Sequence, residues 1–152
     1  MACAILVLFC DAFTKRIVVD FFPLYSPGHS VFSNCFGIDF ELTHATNTGA
    51  AWGLFSNIPN FLIVLRIVLI IGLIGYLAFF NTHPSFRLPL ILIISGALGN
   101  IIDFFVYGHV VDMFHFTFFG YDYPVFNVAD SAIFLGTISI LWIVLREKEK
   151  NR

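Results

Sequence analysis

Residues 61–80, FLIVLRIVLIIGLIGYLAFF, hold one charged side chain, Arg66, in an otherwise apolar run. At 1.5 Å per residue a helix of this length reaches about 30 Å, the thickness of a bilayer's hydrocarbon core. Arg66 stands near one end, where its aliphatic stem lets the charged head snorkel to the interface. Taking this stretch as a membrane span sets how its neighbours are read. Leu88 to about Tyr107 and Val125 to Leu145 are further apolar runs of spanning length, and residues 2–22 make a fourth. That first span carries Asp11, Lys15 and Arg16; Asp11 and Lys15 lie four apart on one helix face, placed to pair. No basic run precedes it and no small-residue cleavage site follows, so it reads as a span and not as a removable signal peptide. It is short on its inner side, which places the natural start a few residues upstream.

Composition agrees. Only 12% of the residues are charged and 59% are hydrophobic, against about 25% charged in soluble domains. A mean hydropathy of +0.88 points to an integral membrane protein. The net charge of −2, with no Lys and Arg interleaved with aromatics, leaves no electrostatic footprint for nucleic acid. Cys3, Cys10 and Cys35 lack metal-ligand spacing: the first two pack as small hydrophobes in a span, and Cys35 is a free thiol in a polar loop.

Between the first two spans, apolar and polar residues alternate from Ile38 to His44, the period of a half-buried strand. This predicts a small β-sheet on the membrane surface, with Asp39 and Glu41 on its solvated face. Asn47 and Gly49 then signal a tight turn, and Ala50 to Phe55 an apolar return to the membrane. Residues 81–87 form a polar turn, 107–124 a loop or short helix, and the charged tail REKEKNR ends in water. Loops 23–57 and 107–124 hold no Lys or Arg, whereas the turn has Arg87 and the tail Arg146, Lys148, Lys150 and Arg152. The positive-inside bias puts both termini in the cytoplasm and the sheet outside. With no repeat or linker, residues 1–152 read as one mainly α membrane domain of four transmembrane helices.

The candidate chemistry lies in GALGNIIDFFVYGHVVDMFHF (96–116) and FNVADSAIFLG (126–136). Asp112 and Asp130 fall at the same end of two neighbouring spans. An ionisable group there costs roughly 2.5–3.5 kcal/mol, so it faces a protein interior or wet cavity and marks function. Two carboxylates in a poorly solvated site cannot both ionise, so one keeps a proton. The ionised partner can then take a proton from an attacking water while the other polarises a peptide carbonyl. Gly96, Asn100 and Asp103 share one helix face, as do Asn127 and Asp130. Helix packing is the alternative role for Asn100. Two other chemistries fit the same residues: a proton or ion relay through Asp11, Lys15, Asp103 and Asp130, and a metal site on the HxxDxxH pattern of His109, Asp112 and His115 with Asp130.

The ordered motifs NTGAAWGLF (47–55), SGALGNIID (95–103), GHVVDM (108–113) and FNVADSA (126–132), with DAFTK at 11–15, resemble lipoprotein signal peptidase, the signal peptidase II family, over nearly the whole chain. The resemblance implies an aspartyl endopeptidase of bacterial inner membranes that cuts prolipoproteins before a diacylglyceryl-bearing cysteine. It implies no metal or cofactor, and a monomer in contact with membrane lipids. The catalytic pair would be Asp112 and Asp130; Asp11, Asn47, Asn100, Asp103, Asn127 and Ala129 would shape the site and bind substrate. Four positions depart from the family pattern. Phe104 stands where Arg is usual after Asp103, Ala12 where Gln is usual, Trp52 where Phe is usual and Ser95 where Gly is usual. None belongs to the proposed pair; they imply altered substrate contacts or inhibitor sensitivity.

Overall fold

The computed structural model describes residues 2–25, 27–48 and 59–150. The expected turn at Gly49, the apolar return from Ala50 to Phe55 and Trp52 lie outside the described residues. Helix α1 covers Ala2–Phe21, α2 Pro59–Gly75 with a wide π turn over Tyr76–Phe80, α3 Arg87–Tyr107 and α4 Val128–Lys150. A single 3₁₀ turn, Pro84–Phe86, leads into α3, with proline at its first position where no backbone N–H is needed. Strands β1 (His29–Cys35), β2 (Ile38–Asn47), β3 (Val110–Phe118) and β4 (Tyr121–Asp122) form one antiparallel sheet in that order.

Phe61–Phe80, Pro84–Tyr107 and Val128–Lys150 are long and apolar enough to cross a bilayer. The first helix is not. It has 20 residues, but Asp11, Lys15, Arg16 and Asp20 interrupt them. Among the described residues three helices are therefore long and apolar enough to span, where four spans were expected. Outward-facing side chains such as Phe79, Val68, Phe105 and Phe134 are exposed and apolar, the surface lipid requires.

Helix α3 is the centre of the bundle and packs against the other three. Small residues set the closest approach. A Cβ on Gly96 would lie 2.3 Å from the Ala129 carbonyl oxygen, and one on Gly136 2.6 Å from that of Pro89, so α3 and α4 meet backbone to backbone. Gly108 ends α3 in the left-handed region at φ 79°, its N–H closing on the Phe104 carbonyl at 3.1 Å. The chain is thereby turned straight into β3.

That strand replaces the loop or short helix expected over 107–124. It pairs along β2, with Asn47 opposite Val110 and Ala45 opposite Asp112. One face, through Val111 and Met113, packs on Val18 of α1. The other carries Phe114 and Phe116, whose ring centroids lie 5.6 and 5.9 Å from that of Phe126. Backbone bonds between Phe114 and Phe126 pin the entrance of α4 to β3. Asp112 and Asp130 come together because of this pin.

Candidate active site

The site rests on a buried ion cluster. The Lys15 ammonium, wholly inaccessible, lies 2.7 Å from Asp11 Oδ2 and 2.6 Å from Asp103 Oδ2, and donates to Asn100 Oδ1 at 3.1 Å. A lone cation at this depth would cost several kcal/mol; two carboxylates and an amide oxygen make it tenable. Asp11 uses its other oxygen to accept the Ala129 N–H at 2.9 Å, one of the N–H groups left unpaired at the start of α4. Asp103 accepts the Val111 N–H at 3.2 Å. One cluster thus ties α1, α3, α4 and β3 together. Gly99 makes room for it, since a Cβ there would meet Asp11 Oδ2 at 2.6 Å.

Two asparagines carry the network outward. Asn100 donates from Nδ2 to Asp130 Oδ1 at 2.8 Å, while its Oδ1 faces Lys15 and Asn127. Asn127 is the N-cap of α4 and Asp130 stands three positions on, in a reciprocal capping box. The Asn127 Oδ1 accepts the Asp130 N–H at 2.8 Å, and the Asn127 N–H points at Asp130 Oδ2 at 3.3 Å. The same Asn127 side chain donates from Nδ2 to Asp112 Oδ1 at 2.8 Å. A single residue therefore holds both carboxylates.

Asp112 is 3% exposed. Burial, with the charge of Asp130 adding to it, pushes its carboxyl up to about 7, against hydrogen bonds from Asn47 and Asn127 and the attraction of Lys15. At neutral pH it holds a proton much of the time. Asp130 and Ser131 border a groove of about 400 Å³ whose other walls are Phe116, Phe118, Tyr123, Phe126, Phe134 and Leu135. The arrangement offers a protonated and an ionisable carboxyl on one amide bridge, beside an apolar groove.

The sequence-predicted residues thus fall in two places. Asp112, Asp130, Asn127, Asn100 and Asn47 form the outer half of the network. Asp11, Asp103 and Ala129 form the inner half, joined through Lys15 and the bond from the Ala129 N–H to Asp11, and none of them lines the groove; Ala129 is wholly inaccessible. The relay residues Asp11, Lys15 and Asp103 converge on one point instead of spreading through the membrane depth. The HxxDxxH pattern does not form a common face, because it needs a helix and Asp112 and His115 lie on a strand, where odd spacing puts them on opposite sides. His115 sits between Glu41 at 3.8 Å and Asp122 at 3.6 Å. His109 precedes the strand, its pKa lowered by burial and by His44. Asp39 accepts the Asn34 N–H at 2.8 Å on the half-exposed sheet.

Sequence reasoning missed two residues here. His44, buried, bonds through Nδ1 to the Phe22 carbonyl at 2.9 Å and ties β2 to the end of α1. Arg66 turns inward, its Cζ 5.6 Å from the centroid of the Phe104 ring on α3. The signal was present: Arg66 is four residues from Leu62 and from Ile70, both buried against the bundle.

The family model for Signal peptidase (SPase) II matches residues 3–146. The chain belongs to the signal peptidase II family. A lipoprotein signal peptidase of Chlamydia pneumoniae is 40% identical over 118 residues, covering 74% of this chain and 70% of that protein. One from Staphylococcus haemolyticus is 36% identical over 145 residues, covering 95% and 89%. A bacterial membrane enzyme solved by the in meso method at 2.3 Å superposes with a TM-score of 0.82 at 31% identity, over 98% of this chain and 88% of that one. A second, solved at 1.9 Å, gives 0.76 at 32% identity, over 93% and 89%. As a signal peptidase II, the chain is a multi-pass enzyme of the bacterial inner membrane and an aspartic peptidase.

Proposed function

We propose that the enzyme removes signal peptides from diacylglyceryl-modified prolipoproteins, cutting before the lipidated cysteine, with Asp112 and Asp130 as the catalytic pair. The observation that carries this reading is Asn127, whose side-chain amide donates to the Asp112 carboxyl and whose backbone N–H points at the Asp130 carboxyl, leaving both without a direct cation partner among the described residues. The proton belongs to the pair, because burial and the charge of Asp130 both push the Asp112 carboxyl up. The ionised carboxylate takes a proton from water as its oxygen adds to the scissile carbonyl carbon, and the protonated carboxyl gives its proton to the carbonyl oxygen. When the tetrahedral species collapses, the C–N bond breaks and a carboxyl delivers the proton to the leaving amine. Asn100 and Asn127 keep the two groups in register; Asn47 helps hold Asp112. Asp11, Asp103 and Ala129 act below them by fixing the start of α4 and β3.

In this reading residues 1–152 are one domain acting as a monomer, and α1 is the fourth span, its inner charges neutralised within the bundle. Arg16 and Asp20, 2.7 Å apart, pair on its outside. Both termini are cytoplasmic, on the side of Arg87 and the basic tail, and the sheet and pair lie at the outer face. The apolar groove beside Asp130 suits a substrate that arrives as a membrane-embedded, lipidated chain.

Cleavage of a diacylglyceryl-modified prolipoprotein by the purified protein, followed by gel mobility, tests the proposal. Wild type is expected to cut with or without a chelator, and Asp130→Asn to cut in neither. Cutting only without chelator would make the mechanism metal-dependent. No cutting under any condition, beside a working control peptidase, would return weight to the relay.

A further inference from the structure

The mechanism leaves one inward-facing charge unused. Arg66 is the sole charged residue of the Phe61–Phe80 span. It does not face lipid; with Leu62 and Ile70, both about 5% exposed or less, it forms the stripe of α2 turned toward the bundle. A charge on that face of a membrane helix has a functional cause by default. Arg66 starts roughly 10 Å along α2 from Pro59, and Phe104 lies roughly 5 Å before the end of α3. Stacking on the Phe104 ring draws the guanidinium outward, toward the level of the site. There it lies close enough to Asp130 and Asp112 for their charges to act on it. Phe104 directly follows Asp103, so the ring's position is set by the same residue pair that anchors the buried cluster.

We infer that Arg66, seated on Phe104, is a substrate-binding residue that donates its guanidinium N–H groups to carbonyl oxygens next to the scissile bond. The inference rests on the prolipoprotein-cleaving function proposed above. Carbonyl oxygens of this kind come from two sources, the peptide backbone and the esters of the diacylglyceryl group, and both accept from a planar guanidinium fork. Binding of this sort acts on ground and transition state alike, so its loss raises KM and spares kcat.

The test is steady-state cleavage of a diacylglyceryl lipopeptide by the full-length enzyme. Arg66→Gln is expected to raise KM about 10-fold with kcat within about 3-fold. Arg66→Lys, which keeps the charge but loses the fork, falls between the two and guards against a mere folding defect. Phe104→Leu, which removes the ring the guanidinium rests on, raises KM by a smaller factor. Adding Phe104→Arg to Arg66→Gln supplies the guanidinium from α3 and restores KM to within about 3-fold of wild type. A diether lipopeptide identifies the source: an undiminished effect of Arg66→Gln assigns the backbone carbonyl, a vanished one the ester. An unchanged KM in Arg66→Gln, or a fall in kcat alone, overturns the inference while leaving the proposed function intact. A wild-type enzyme that does not cut removes both.

Discussion

Two pairs of aspartates are linked through Asn100 in this protein, and what stands between the carboxyls differs. Asp11 and Asp103 have Lys15 between them, in direct contact with each. Asp112 and Asp130 have the amides of Asn100 and Asn127 instead. A buried cation in contact with both carboxylates of the first pair offsets their charge and turns them into a staple. An amide bridge fixes the second pair without supplying charge, so a proton must do so. In the function proposed here the same residue type is structural in one place and chemical in the other because of what separates the two carboxyls.

Breaking each pair should therefore give opposite results. Asp112→Asn and Asp130→Asn are each expected to lower prolipoprotein cleavage by about 10²- to 10⁴-fold, the range for removing a general acid or base. Thermal unfolding in detergent at about pH 4, where Asp112 keeps its proton in the folded enzyme, should move little, since neither change orphans a buried cation. Lys15→Met does the reverse. It leaves two buried carboxylates facing each other and is expected to destabilise the fold by about 3–5 kcal/mol, read from the same unfolding measurement. Activity that survives in Lys15→Met at low temperature would separate staple from chemistry.

Sharper probes have smaller effects. Asn127→Ala removes the side-chain bond to Asp112 and the cap on the Asp130 N–H, leaving of its own contacts only the backbone N–H to the Asp130 carboxyl, and is expected to slow cleavage about 10- to 100-fold. The pH dependence of stability carries a fixed sign. The Asp112 carboxyl is raised in the folded enzyme to about 7 from 3.8. Its contribution to stability is thus complete below the unfolded value and is lost as pH rises through about 7. Asp112→Asn should remove that decline from the melting curve. His115→Ala, on the other face of β3, is expected to change cleavage by less than about threefold.

Much of this was legible beforehand, for identifiable reasons. The spans of α2, α3 and α4 show because twenty apolar residues admit few other readings. The Asp11 and Lys15 pair shows because the two are four apart. Both catalytic candidates show because carboxylates beside spans are costly. Strand β3 was hidden: Val111 and Met113 pack on α1 while Phe114 and Phe116 pack on Phe126, so both faces are apolar and the period of two is erased. With the strand unseen, the histidine spacing around Asp112 looked like a helical metal face. The convergence of Lys15 on Asp103 was hidden for another reason, since the two are 88 positions apart and only the packing of α1 on α3 joins them. Arg66 looked like a snorkelling side chain because hydropathy does not say which side of a helix faces protein.

The shared proton is the centre of the account, and the pH dependence of kcat/KM for prolipoprotein cleavage tests it most directly. From about pH 4 to about pH 9 the wild type should give a bell whose falling limb lies near the value raised on Asp112. Rates that stay constant from about pH 6 to about pH 9 would contradict a shared proton.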